Sequence, residues 1–144
     1  MGITMMDLVK MSQSELDELY RNSEVGEIPN GSSKGTAIIA PGTPLTQGMA
    51  SLIDLLAWQG KVFNREQGTL LNKITSFSWE LVDAKVYVGK SWLCEGESII
   101  LDYAQSSIFL AHPIRDEIRL VAPNLYLGNA YWDKTRVLNF VLEF

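Results

Sequence analysis

From Ile114 to Phe144 the chain reads IRDEIRLVAPNLYLGNAYWDKTRVLNFVLEF, and this stretch decides the fold. Three runs within it, Ile114–Val121, Leu125–Trp132 and Arg136–Phe144, are rich in β-branched and aromatic residues. Pro123-Asn124 and Asp133-Lys134 divide them with turn chemistry. Connections this short leave no room for a crossover helix, so the strands are expected to pair antiparallel. Upstream the pattern repeats in Leu70–Thr75, Trp79–Val88, Ser98–Tyr103 and Ile108–Ala111, with Gly89-Lys90 and Glu95-Gly96 at two of the breaks. A meander of this length predicts a closed or nearly closed antiparallel barrel of about eight strands, a shape suited to holding a ligand.

The N-terminal part reads differently. Met5–Met11 and Ser14–Arg21 are predicted helices, each opened by a capping box, Thr4-Met5-Met6-Asp7 and Ser12-Gln13-Ser14-Glu15. Leu16, Leu19 and Tyr20 give the second an apolar stripe. Gly26–Gly35, with Pro29, Asn30, Gly31, Ser32 and Ser33, reads as a linker. Thr36–Ala40 is a short strand candidate, stopped by Pro41-Gly42 and Pro44. A further helix is expected after Thr46, where Met49, Leu52, Ile53 and Leu56 share one face, ending near Trp58. Lys61–Asn64 then begins the strand series. The expected whole is a single mainly β (α+β) domain over 1–144: a helical part, 1–58, whose two or three helices pack on or plug one end, and a strand meander, 61–144.

Composition bounds the function. The chain has 144 residues, 47% of them hydrophobic, enough for a sizeable core. Its formal net charge is −5, and Arg and Lys are dispersed, which argues against a nucleic-acid partner. One cysteine, Cys94, excludes an intramolecular disulfide and fits a reducing compartment. No signal-peptide pattern is present, and no apolar run approaches the roughly 20 residues of a membrane-spanning helix. The expectation is a cytoplasmic protein without an integral membrane segment. A lone His112 and a lone Cys94 exclude the usual structural zinc sites, and no phosphate-binding glycine loop, dinucleotide fingerprint or hydrolase elbow occurs. No metal or cofactor is expected.

Strand alternation sets Arg115, Glu117 and Arg119 on one face of Ile114–Val121, and Ile114, Asp116, Ile118 and Leu120 on the other. That second face is apolar except at Asp116. Arg115 and Arg119 are read two ways: as a solvated outer ladder with Glu117, favoured because polar-out is the usual pattern, or as an interior grip for an anionic head group. The same alternation aligns Tyr126, Gly128, Ala130 and Trp132. The two small residues between the aromatics predict space for a guest. Trp58, Tyr87, Tyr126 and Trp132 are therefore candidate ligand contacts beside Arg115 and Arg119. Asp102, His112 and Glu117 are the candidate acids and bases.

The last strand places Arg136, Leu138, Phe140, Leu142 and Phe144 on one face and Val137, Asn139, Val141 and Glu143 on the other. A strand so apolar needs cover on both faces. The expectation is either closure against the first strand or a homodimer, with the dimer preferred and the helix Met49–Trp58 as the alternative cover.

Trp58-Gln59-Gly60-Lys61-Val62-Phe63 followed by a meander resembles the small lipocalin-like proteins named for a Gly-x-Trp-x-Gly motif. Arg115 to Val121 and Leu125 to Gly128 resemble their closing hairpin. The likeness runs from about Gly26 to Phe144. It departs at Gly26-Glu27-Ile28-Pro29-Asn30-Gly31, where Ile28 stands in place of the name-giving tryptophan. The resemblance implies a lipocalin-like up-and-down barrel and binding of a lipid or other hydrophobic ligand, and it carries over no catalytic residue. A cone-shaped sheet around a long helix is the alternative fold, disfavoured because the predicted helices are short. Two functions follow: binding of a small hydrophobic or amphipathic molecule, fatty acid or phospholipid-like, or cofactor-free isomerase, cyclase or dehydratase chemistry at a barrel-mouth carboxylate or histidine.

Overall fold

A computed structural model describes residues 2–38, 58–74 and 82–144, with the backbone alone at 58, 59, 73 and 74. The expected helix from Thr46 and the strand start at Trp79 lie outside the described residues, up to position 57 and position 81 respectively. Among the described residues two helices, α1 (Met5–Leu8) and α2 (Gln13–Arg21), precede nine strands. These are β1 (Gly31–Ser32), β2 (Lys34–Ile38), β3 (Trp58–Asn64), β4 (Thr69–Ile74), β5 (Asp83–Lys90), β6 (Glu97–Asp102), β7 (Ile114–Ala122), β8 (Leu125–Trp132) and β9 (Thr135–Glu143).

The sheet order is β1-β3-β4-β5-β6-β7-β8-β9-β2, antiparallel throughout. Because β1 and β2 are two halves of one run, Gly31 to Ile38, that run pairs with β3 at one sheet edge and with β9 at the other. Eight strands thus wall a nearly closed, up-and-down, lipocalin-like barrel. Ser33 sits at the joint, its N–H and Oγ both donating to the Lys61 carbonyl at 2.9 and 2.7 Å. The glycine-rich linker is therefore the closing strand, and glycine and serine there permit the bend rather than forbid the ladder.

Two cores result. One fills the barrel, with Phe63, Leu70, Ile99, Leu101, Ile118, Tyr126, Leu138 and Phe140 among its members. The other lies outside, where Leu8, Leu16 and Tyr20 of the helices pack on Ile38, Leu125, Leu127 and Val141. Both capping boxes are made: the Thr4 and Ser12 side chains accept from the amides of Asp7 and Glu15, whose carboxylates bond back. The helices therefore cover the outer wall instead of plugging an end.

Three sequence expectations change. Ile108–Ala111 is no strand: Phe109–Ala111 forms a 3-10 turn before Pro113, and Asp83 accepts from the Ser106 and Ser107 hydroxyls in the loop leading to it. Trp58 opens a strand rather than ending a helix. In β9 the register slips between Ala130↔Leu138 and Tyr131↔Arg136, leaving Val137 as an extra residue. This bulge turns Val137 into the barrel core and swings Arg136 outward to Asp17 of α2, with Nη1 and Nη2 at 2.7 and 3.0 Å from its two oxygens. The last strand is thus closed by β2 and covered by α1 and α2, so the uncovered strand that motivated a dimer is absent.

Candidate functional site

The alternation along β7 points Asp116 into the barrel with Ile114 and Ile118, and Arg115, Glu117 and Arg119 out of it. On the neighbouring walls, Lys61 of β3 shares the inner face with Phe63, and Asn72 of β4 shares it with Leu70. Tyr103, directly after β6, joins them. The four side chains meet. Lys61 Nζ lies 2.6 Å from Asn72 Oδ1, 2.7 Å from the Tyr103 hydroxyl and 3.3 Å from Asp116 Oδ2. Asn72 Nδ2 donates to Tyr103 at 2.9 Å and to the Val82 carbonyl at 3.0 Å. The rings of Tyr103 and Phe140 flank the ammonium at 5.3 and 5.4 Å.

One atom is left over. Asp116 Oδ1 is buried and has no hydrogen-bond partner. An unpaired carboxylate oxygen in an apolar interior costs a large desolvation penalty, so its presence calls for an explanation. Burial raises the Asp116 pKa, against the pull of Lys61 and the Tyr103 hydroxyl. Burial likewise lowers that of Lys61, against the pull of Asp116. Tyr103 is held well above the ordinary phenol value, first by burial and then by the Asp116 charge. Burial thus pushes both members of the ion pair toward their neutral forms, and each opposes that push on the other.

Open space lies further along the same wall, and none of the four cluster residues is among those that line it. A cavity of about 730 Å3 in the β3–β5 wall is lined by Phe63, Leu70 and Ala84, with Val62, Leu71, Asn64 and Lys85. Phe63↔Leu70 and Leu70↔Ala84 are cross-strand partners, and Lys61↔Asn72 is the next inward-facing pair. One pleat repeat, about 6.8 Å, therefore separates the cavity-lining row from the polar cluster.

The residues singled out in the sequence go elsewhere. Arg119 is buried outside the barrel, where Nη1 donates to the carbonyls of Tyr20 and Ser23 at 3.0 and 3.2 Å and Nη2 to that of Glu95 at 3.0 Å. Arg115 stacks under Trp92 at 3.9 Å and donates to the Lys90 carbonyl. Glu117 is also outside, fully buried, accepting from the Ser91 hydroxyl and the Trp92 amide. The outer ladder is thus the observed direction, but it is buried under α2 and the 91–96 loop rather than solvated. Tyr87 is 43% exposed on the outer wall, bonded to Asp102, whose other oxygen caps the Ala104 amide. His112 is exposed and bonded to the Ser106 carbonyl at 2.8 Å. Tyr126 and Trp132 do face inward, and Tyr126 donates to the Glu27 carbonyl at 2.6 Å. The Trp58 side chain lies outside the described residues.

Lys61, Asn72 and Tyr103 were missed, and Asp116 was noticed only as an exception. The signal was polar residues at inward positions of three apolar strand faces. Among the described residues no group of three or more His, Cys, Asp or Glu is placed to hold a metal, and no helix is long and apolar enough to cross a membrane. No protein-family model and no curated protein matches the chain. A crystal structure of a protein from Thermomonospora curvata is similar, at 19% identity and a TM-score of 0.64 over 92% of this chain and 87% of that one. That likeness bears on the fold.

Proposed function

We propose that the protein binds a small amphipathic molecule with an uncharged hydrogen-bonding head. The apolar body would lie along the row Phe63, Leu70 and Ala84 and the head at Lys61, Tyr103 and Asp116. The unpartnered Asp116 Oδ1 carries this reading: a buried acceptor is satisfied by a hydroxyl or amide brought in by a ligand. The 730 Å3 cavity is within the range that small-molecule sites occupy. The resemblance around Trp58–Phe63 to lipocalin-like proteins supports the same class of ligand.

The head group differs from the anionic one expected from sequence. Arg115 and Arg119 spend their donors on outer-wall carbonyls, and the charge of Lys61 is matched by Asp116. A second carboxylate or phosphate would meet Asp116 without a free counter-charge. Long-chain alcohols, which can donate to Asp116 Oδ1, and ketones, which can accept from Tyr103 or Lys61, fit better than ionised fatty acids or phospholipids. Native mass spectrometry of the purified protein tests this, together with displacement of a fluorescent apolar probe by decanol and by decanoate. Decanol is expected to compete and decanoate to compete poorly at neutral pH. A protein that carries no small molecule and takes up no probe would refute the proposal.

A further inference from the structure

Resting on that binding reading, we propose that Asp116, Tyr103 and Lys61 form a proton-transfer site that isomerises β,γ-unsaturated ketones to their conjugated forms. The inner cluster holds the three parts such a reaction needs. Asp116 Oδ1 is a buried carboxylate oxygen with an open acceptor position. Tyr103 accepts from both Lys61 and Asn72, and its own hydroxyl proton, held by the Asp116 carboxylate, is the one it would turn to a bound carbonyl oxygen. Lys61, 2.7 Å away, can replace that proton.

The step balances without a co-reactant. Asp116 Oδ1 removes a proton from the carbon between the carbonyl and the alkene. The electron pair of that C–H bond becomes a new C=C bond as the carbonyl π pair moves onto oxygen. Tyr103 passes its proton to this oxygen and receives one from Lys61, giving a dienol, a neutral carboxyl and a neutral amine. Return of the Asp116 proton to the γ-carbon, with the hydroxyl proton going back through Tyr103 to Lys61, yields the conjugated ketone and restores the ion pair. Burial, which disfavours both charges, makes the intermediate protonation state accessible. The candidates named from sequence cannot do this: Asp102 and His112 lie outside the barrel, and Glu117 is bonded beneath the 91–96 loop.

The test uses cyclohex-3-en-1-one, with binding followed by ligand-observed NMR and conjugation followed by ultraviolet absorbance. The wild-type protein is expected to accelerate conjugation by about 10²-fold or more over buffer. Asp116→Asn should abolish the acceleration while retaining the NMR binding signal, Tyr103→Phe should reduce it about tenfold or more, and the outer-wall control Tyr87→Phe should match wild type. If Asp116→Asn does not fold, Tyr103→Phe decides, because it keeps the ion pair and the ring volume. Probe that binds but conjugates at the buffer rate, or a folded variant at either position with full activity, overturns the proton-transfer site and leaves the binding reading standing. Absence of any binding overturns both.

Discussion

The ring of Phe140 occupies the place where a side chain at Gly128 would begin: a Cβ there would lie 2.2 Å from Phe140 Cζ and 2.5 Å from Cε2. Gly128 thus leaves no void between Tyr126 and Trp132. It admits the aromatic ring that flanks Lys61 from the opposite strand. Gly128→Ala should cost about 1–3 kcal/mol by overpacking. Adding Phe140→Leu to that variant should recover part of the loss, as expected for residues in contact. Urea denaturation of the two single variants and the double variant measures the coupling. Independent, additive losses would show that the ring can move aside.

Lys61→Met should cost about 3–5 kcal/mol at neutral pH, because it strands a buried carboxylate. The pH dependence follows from sign. Burial raises the folded-state pKa of Asp116 above the unfolded value. For such a group, stability is fully present below the unfolded pKa, near about 3.9, and is lost as pH rises through the folded one. The gap between wild type and Lys61→Met should therefore be small near pH 4 and widen toward neutrality. Urea midpoints across that range check it, and a pH-independent gap would mean that Asp116 is not the ionised partner.

The strand meander was legible because turn chemistry at Pro123-Asn124 and Asp133-Lys134 brackets runs of β-formers, and the capping boxes at Thr4 and Ser12 were legible because both partners are local. What escaped is non-local. Nothing around Val137 announces a bulge, since the extra residue is defined only against β8. Arg119 reads as an outer-ladder cation until α2, some hundred residues earlier, lays its C-terminal carbonyls on it. The inner cluster is similar: Lys61, Asn72, Tyr103 and Asp116 come from four separate parts of the chain, and although Asn72 and Asp116 each break an apolar alternation within their own run, nothing local brings them to one point. Period-two reading finds a face, and pairing register decides who shares it.

Arg119 should prove to be the anchor of the helical layer. It donates to carbonyls at the C-terminal end of α2, at Tyr20, Arg21 and Ser23, and to Glu95 and Glu97. Arg119→Lys keeps the charge but cannot reach these acceptors at once. It should lower stability by about 1–3 kcal/mol through unsatisfied carbonyls. Hydrogen exchange should show lost protection in α2 while β8 and β9 keep theirs. Uniform loss across the barrel would argue that α2 and the barrel unfold together.

Closure of the barrel turns on Gly60. Its φ is +140°, and a Cβ there would stand 2.2 Å from the Ser33 carbonyl oxygen and 3.0 Å from the Gly35 nitrogen. Gly60 lies at the register shift between Trp58 and the rest of β3, beside Lys61, whose carbonyl accepts from Ser33 and whose amide donates to the Ser33 hydroxyl. Gly60→Ala therefore suffers twice, from a backbone conformation that costs an L-residue about 1–3 kcal/mol and from collision with backbone that cannot rotate away. Gly31 separates the two effects. It also has positive φ, +89°, but a Cβ there meets nothing within 4 Å. Gly31→Ala should show the strain alone, while Gly60→Ala should be several-fold worse and should abolish exchange protection of the Ser33 and Lys61 amides. Because the same movement displaces Lys61 from Asp116, Gly60→Ala should also lose probe binding. Equal effects of the two substitutions would mean that the Gly31–Ile38 run does not pin the two sheet edges together.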